Sequence, residues 1–371
     1  MGTTAVLTRR ALNRAVLDRQ SLLRRSTATV PRVLERLVGL QAQTTHTWYV
    51  GLWSRLADYT PDDTVRLLTD GRVVRTALMR STLHLVTADD CLWLRPLVQP
   101  MIERGFRSVY GRNLAGVDPA DLAAAGRALV EERPRTFSEL GRELARRWPD
   151  HDPAALAQAI RAFVPLVQLP PRGVWGRSGR AVHTSAEAWT GRSPGTAAAP
   201  ERLVLRYLAA FGPATVRDVQ TWCGLTRLGE VVDRLRPRLA VFRGEDGAEL
   251  FDLPDAPRPD PDTPAPVRFL YDFDNLLRSH ADRRRVLTVD LGAFTPRNGI
   301  APHTVLVDGV VTALWAATTG ENRTAALTVR PLRALSAAEE EEVAAEGGRL
   351  LAFLHPKAEE RRVVVEPPTS G

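Results

Sequence analysis

Lysine is nearly absent from this chain: of its 50 basic residues, all but Lys357 are arginine. Abundant alanine accompanies that bias, so it reflects the base composition of the coding DNA and has no recognition meaning of its own. Cysteine is as scarce. Cys91 and Cys223 stand far apart with no Cys-x-x-Cys pair or Cys/His cluster, which excludes a zinc ribbon and a disulfide framework and points to a reduced, cytoplasmic setting. No run of about 18 apolar residues occurs, and Arg9, Arg10 and Arg14 precede no signal-peptide core, so neither a membrane span nor export is expected. A nucleotide-binding glycine loop and a set of metal ligands are also missing, and the expectation is a protein without cofactor or metal.

What is present is a soluble globular composition, 44% hydrophobic and 25% charged, in 371 residues. That length exceeds one ordinary core and implies two or three domains. The net charge of +7 is unevenly placed. Residues 1–115 carry 17 Arg against 9 Asp or Glu, whereas the remainder is close to neutral. Positive charge gathered in one segment suits a phosphate backbone, although a solvated basic face has the same composition.

One pattern occurs three times. Thr136-Phe-Ser-Glu139 and Thr215-Val-Arg-Asp218 have the Thr-x-x-acid form of a helix cap, and Thr29-Val-Pro-Arg-Val33 is a looser copy with Pro31 in the first turn. Each follows a helix-like stretch (Leu7–Leu23, Asp121–Glu132, Glu201–Phe211) and precedes a further helix and two β-like runs. Those runs are Arg72–Met79 with Thr82–Val86, Leu166–Leu169 with Ala181–Thr184, and Leu239–Arg243 with Leu250–Leu253. Helix, capped helix, helix and wing in triplicate predict an α+β protein of three tandem winged-helix units, at 1–115, 116–190 and 200–254. Residues 190–200 read as a linker, and 255–266, with five prolines, as an extended loop. Residues 267–371 form a C-terminal β-rich region with a terminal helix: strands at Val267–Asp272, Val286–Leu291, His303–Val307, Val310–Ala316 and Ala325–Val329, an Asp308-Gly309 turn, and a helix from Ser336 to Phe353.

The feature richest in chemistry is Gln41-Ala42-Gln43. It follows an apolar run of helical spacing (Val33, Leu34, Leu37, Val38, Leu40) and precedes Trp48, Tyr49, Leu52 and Trp53, which have the pattern of buried residues. Each amide has an acceptor and a donor, so the pair can hold a water and aim its lone pair. Neutral amides suffice when the leaving group is already cationic, because departure then needs no strong acid. Most Gln-x-Gln triplets are plain surface, and it is the setting that singles this one out.

Gly39-Leu40-Gln41-Ala42-Gln43, Phe211-Gly-Pro-Ala-Thr215, Phe273-Asp-Asn-Leu-Leu-Arg-Ser-His-Ala-Asp-Arg283 and Leu306-Val-Asp-Gly309 together resemble the AlkZ/YcaQ group of winged-helix DNA glycosylases, over nearly the whole chain from Leu7 to Phe353. Glutamine at both ends of the triplet is closer to the AlkZ branch than to the YcaQ-like one, where Asp replaces the second Gln. The resemblance implies that Gln41 and Gln43 are catalytic, that the substrate is double-stranded DNA carrying N7-alkylated purines, including interstrand crosslinks of the azinomycin type, and that hydrolysis proceeds without a lyase step. It also implies that the His303–Ala316 hairpin approaches the lesion. Three such units need no protein partner to span a site.

Other residues have more than one reading. His46, three residues past the triplet, is a candidate substrate contact or a structural histidine among aromatics. Arg80, Arg278, His280, Arg283 and Arg284 are candidate DNA contacts, and the Arg283–Arg285 run also fits a solvated surface. Asp274, Asn275, His280, Asp282 and Arg283 invite a metal or hydrolase reading, but they match no metal-ligand spacing and read better as a loop hydrogen-bond network facing DNA. The competing function is a non-enzymatic winged-helix regulator. A two-metal nuclease is disfavoured by the lack of a carboxylate cluster.

Overall fold

The computed structural model describes residues 5–195, 199–294, 300–320 and 323–368. Part of the expected linker, 196–198, lies outside them. Strand β1 (Val6–Leu7) leads to helix α1 (Arg9–Arg19), started by the Thr8 side chain. There follow α2 (Val30–Leu37), β2 (Leu40–Gln41), α3 (Trp48–Trp53), α4 (Pro61–Thr69), the hairpin of β3 (Val73–Ala77) and β4 (Leu83–Thr87), and the long helix α5 (Ala88–Tyr110). The expected turn at Arg80-Ser81 joins β3 to β4.

The second helical stretch comprises α6 (Pro119–Glu132), β5 (Arg135–Thr136), α7 (Phe137–Ala145), α8 (Pro153–Phe163), β6 (Leu166–Gln168), β7 (Val182–Ser185) and α9 (Ala186–Thr190). A reciprocal capping box between Thr136 and Glu139 starts α7, as its sequence pattern predicts. The β-runs of the first two stretches do not stay apart. They fuse into one six-stranded sheet of order β2-β4-β3-β6-β7-β5, with β3 pairing β6 through Arg75–Gln168 and Thr76–Val167.

The third stretch has α10 (Pro200–Phe211), α11 (Val216–Cys223, capped by the Thr215–Asp218 box), α12 (Leu228–Leu235), β8 (Ala240–Gly244) and β9 (Glu249–Asp252). Helix α1, read from sequence as the opening of the first unit, docks here instead. Its Arg19 makes a buried bidentate pair with Asp252 at 2.7 and 2.9 Å, the following Gln20 donates to the Ala210 carbonyl, and β1 pairs in parallel with β8.

Residues 255–266 have no regular structure, as their prolines dictate. A mixed five-stranded sheet then assembles from β10 (Arg268–Leu270), β11 (His303–Val307), β12 (Val310–Thr319), β13 (Thr324–Pro331) and β14 (Glu360–Val365), with α13 (Ala337–Leu354) before the last strand. The expected strand at Val286–Leu291 is not one. Val286, Leu287 and Leu291 bury their side chains without alternation, and no ladder forms there. Strand β14, parallel to β13, was not anticipated. Trp48, Tyr49 and Leu52 of α3 pack against Phe269, Tyr271 and Trp315, so the C-terminal sheet backs the segment that carries the glutamines.

Candidate active site

The triplet starts at the end of a short edge strand just after a helix, with Gln41 its last residue. Val38 ends α2 in the left-handed conformation, and Gly39 follows at φ +87°. A Cβ at Gly39 would lie 2.5 Å from Val86 Cγ1 and 2.9 Å from the Leu85 carbonyl oxygen, so only glycine lets the chain turn onto β4. Strand β2 then pairs antiparallel with β4, Leu40 opposite Leu85 and Gln41 opposite His84. Beyond the strand the Ala42 N–H still donates to the Leu83 carbonyl at 2.7 Å, and the Ala42 side chain is buried.

Both amides are oriented by groups that can only donate. Arg80 Nη2 donates to Gln41 Oε1 at 2.7 Å, and the Leu83 backbone N–H donates to Gln43 Oε1 at 3.1 Å. Each oxygen is thus identified, and each keeps one further lone pair. Gln41 is buried, whereas Gln43 is exposed.

The edge of β2 is closed by the segment 271–275. The Tyr271 hydroxyl donates to the Gln41 carbonyl at 2.9 Å, and Asn275 Nδ2 donates to the Gly39 carbonyl at 2.7 Å. Asp272 accepts from the hydroxyls of Thr44 and Thr47, directly after the triplet. Asp274 forms a fully buried bidentate pair with Arg55. This clasp bears out the hydrogen-bond reading of Asp274 and Asn275. Arg75, reaching across from β3, donates to the Ala42 carbonyl at 2.9 Å and to Gln168. Of these, Tyr271, Asp272, Arg75 and His84 escaped the sequence reading; an acid closing an apolar run was the one available signal for Asp272.

Two histidines near the site are pushed toward the neutral form. Burial first, and then the Arg80 charge, lowers His84 to about 3. Its Nδ1 faces the Thr82 carbonyl at 2.9 Å, which places the ring proton on that nitrogen. His46 is lowered chiefly by burial, and its Nε2 is engaged by the Val174 carbonyl at 3.0 Å, beside Tyr49 and Trp175. Its visible partners are therefore structural.

The candidate DNA contacts separate into two groups. Arg80 sits in a left-handed turn with Ser81 (φ 54° and 57°), its second nitrogen bound to the Trp222 carbonyl of α11, while Arg161 Nη2 donates to the Ser81 carbonyl at 2.6 Å. Arg278 is half-buried over the Phe273 ring, and Arg283 is exposed; burial and then the neighbouring cation lower both Arg80 (to about 10, beside Arg278) and Arg278 (beside Arg283). Arg284 is exposed but folded onto Asp282 in a bidentate pair. His280 does not face outward at all. It is buried, lowered to about 3 by burial and then by Arg285, with Nδ1 on Ser279 and Nε2 on the Phe211 carbonyl, so its expected place on a DNA-facing surface is corrected.

Among the described residues no group of three or more His, Cys, Asp or Glu side chains is placed to hold a metal, and no helix is long and apolar enough to cross a membrane. The sequence profile of the family described as "DNA glycosylase AlkZ-like" matches residues 34–353, which includes the triplet, the clasp and strands β10 to β13 of the sheet behind them. The chain belongs to the AlkZ-like DNA glycosylase family. This AlkZ-like chain also shares its fold with the solved Streptomyces sahachiroi DNA glycosylase AlkZ: TM-score 0.77 at 18% identity, covering 97% of this chain and 100% of that one. No curated protein matches it significantly in sequence.

Proposed function

We propose that this AlkZ-like glycosylase is monofunctional and excises cationic N7-alkylated purines, including those in interstrand crosslinks of the azinomycin type, with a water positioned by Gln41 and Gln43. The helix and hairpin stretches serve as three winged-helix units that grip the duplex. One observation carries this reading: both amide oxygens are held by one donor each, Gln41 by Arg80 and Gln43 by the Leu83 N–H, and each keeps a further lone pair. A water that donates to both has its own lone pair free for C1′.

Alkylation at N7 makes the purine a cation. When the C1′–N9 bond breaks, its electron pair goes to the base, which leaves neutral, and positive charge appears on the sugar. Water then bonds to C1′ and its proton passes to solvent. Positioning rather than basicity is the protein's contribution. Arg278 and Arg283 suit phosphate contacts beside the triplet, and the sole lysine, Lys357, is exposed in the turn between α13 and β14, which supports hydrolysis without a lyase step.

The test is incubation with a duplex containing N7-methylguanine in the presence of EDTA. Free base, an abasic site and no borohydride-trapped adduct are expected. Replacing either glutamine by alanine should slow release by roughly 10²-fold, as for loss of one positioned donor. Full activity in both single variants removes the water-positioning assignment, and binding without release favours the regulator.

A further inference from the structure

Buried charges in this chain are mostly paired: Arg19 with Asp252, Arg55 with Asp274, Arg206 with Asp90. Arg95 and Arg285 are exceptions, held by the Ala162 and Pro213 carbonyls, and the groups around the triplet are others. Among the described residues Arg75, Arg80 and Arg278 have no carboxylate at ion-pair distance, and their nitrogens are spent on Ala42, Gln168, Gln41, Trp222 and the face of Phe273. Asp272 is the anionic counterpart. It is 1% exposed and has no arginine partner among the described residues; it accepts from the Thr44 hydroxyl, from Thr47 Oγ1 at 2.6 Å and from the Phe273 N–H at 3.1 Å.

Three unpaired cations suit a phosphate backbone but oppose the reaction itself, because the sugar carbon turns positive as the base departs. A buried carboxylate costs free energy unless something compensates it, and neutral hydroxyls stabilise its charge without cancelling it. Thr44 and Thr47 do so from the loop that continues the triplet, so the carboxylate is fastened to that loop; Arg278 feels its charge without reaching ion-pair distance. We propose that Asp272 is the anion that offsets the positive charge developing on the sugar in the transition state, held in register with the glutamines by Thr44 and Thr47. It forms no bond to the substrate and acts through its field. That field reaches the opposite strand: burial lowers the His303 imidazole, and the Asp272 carboxylate acts against that lowering.

The inference rests on the glycosylase reading above, and its test separates the two. Duplexes carrying either a cationic pyrrolidine in place of the lesion sugar or a neutral tetrahydrofuran abasic analogue are titrated into wild-type protein, Asp272→Asn and Asp272→Glu. Wild type should bind the cationic analogue at least tenfold more tightly than the neutral one. Asp272→Asn should lose most of that preference while keeping its tetrahydrofuran affinity, and its single-turnover excision of N7-methylguanine should fall by tenfold or more. Asp272→Glu should retain the preference. A purely structural role would instead weaken both analogues alike. An unchanged preference in folded Asp272→Asn overturns the proposal, as does a wild type that does not distinguish the two sugars, a result readable even if the variants fail to fold. Absence of base release by wild type is the separate failure, that of the glycosylase reading.

Discussion

Arg80, in the turn between β3 and β4, holds Gln41 on β2: Nη2 of the arginine donates to the amide oxygen of the glutamine at 2.7 Å, while the same guanidinium binds the Trp222 carbonyl. Gln41 is therefore oriented by a residue anchored to α11 in the third helical stretch. Two consecutive non-glycine residues in left-handed conformation, Arg80 and Ser81, are needed to bring it there. Strain of about 1–3 kcal/mol per residue persists only where surrounding structure enforces it.

Replacing Arg80 by methionine should free the Gln41 amide to rotate. The expected cost is about tenfold in single-turnover excision, one charged hydrogen bond of about 1.4 kcal/mol, with a smaller change in affinity for undamaged duplex. Equal losses in rate and affinity would assign Arg80 to DNA contact instead.

Gly39→Ala should both destabilise and inactivate. The new Cβ meets Val86 and the Leu85 carbonyl at a position held at φ +87°, so β2 must shift off β4 and take the glutamines with it. Differential scanning calorimetry should show a clear fall in Tm, and residual folded protein should excise slowly.

Acid should unfold the protein partly through its buried histidines. His84 and His280 lie at about 3 when folded, lowered by burial, against about 6.5 in the unfolded chain. Their folded pKa values are depressed, so the unfolded chain binds more protons as pH drops. The stabilisation is complete above about pH 6.5 and is lost progressively as pH falls toward about 3. Tm measured from pH 7.5 to 4.5 should decline, and less steeply in a folded His280→Gln variant. Parallel curves would show that His280 is not buried neutral.

Arg283 and Arg284 should behave differently despite adjacency. Arg283 is exposed and unpaired among the described residues, whereas Arg284 is neutralised by Asp282. Arg283→Ala should reduce the slope of log K against log salt for duplex binding by about 1, with Arg284→Ala closer to wild type. Identical slopes in both variants would remove the distinction.

Much of this was legible because it is local. The capping boxes at Thr136, Thr215 and Ser336 follow from side chains three residues apart, and the Asp308-Gly309 turn follows from its own dipeptide. Other features were decided by distant partners. The fusion of the strands of the first two stretches into one sheet, the docking of α1 on the third stretch through Arg19 and Asp252, and the inward turn of His280 depend on residues that sequence proximity does not link. So does the clasp of Tyr271, Asp272 and Asn275 over an edge strand more than 220 positions earlier. The sequence by itself determined which side chains could aim a water and where helices begin. Only the tertiary structure decided which charges around them go unpaired, because an ion pair forms or fails according to what packing brings within about 4 Å.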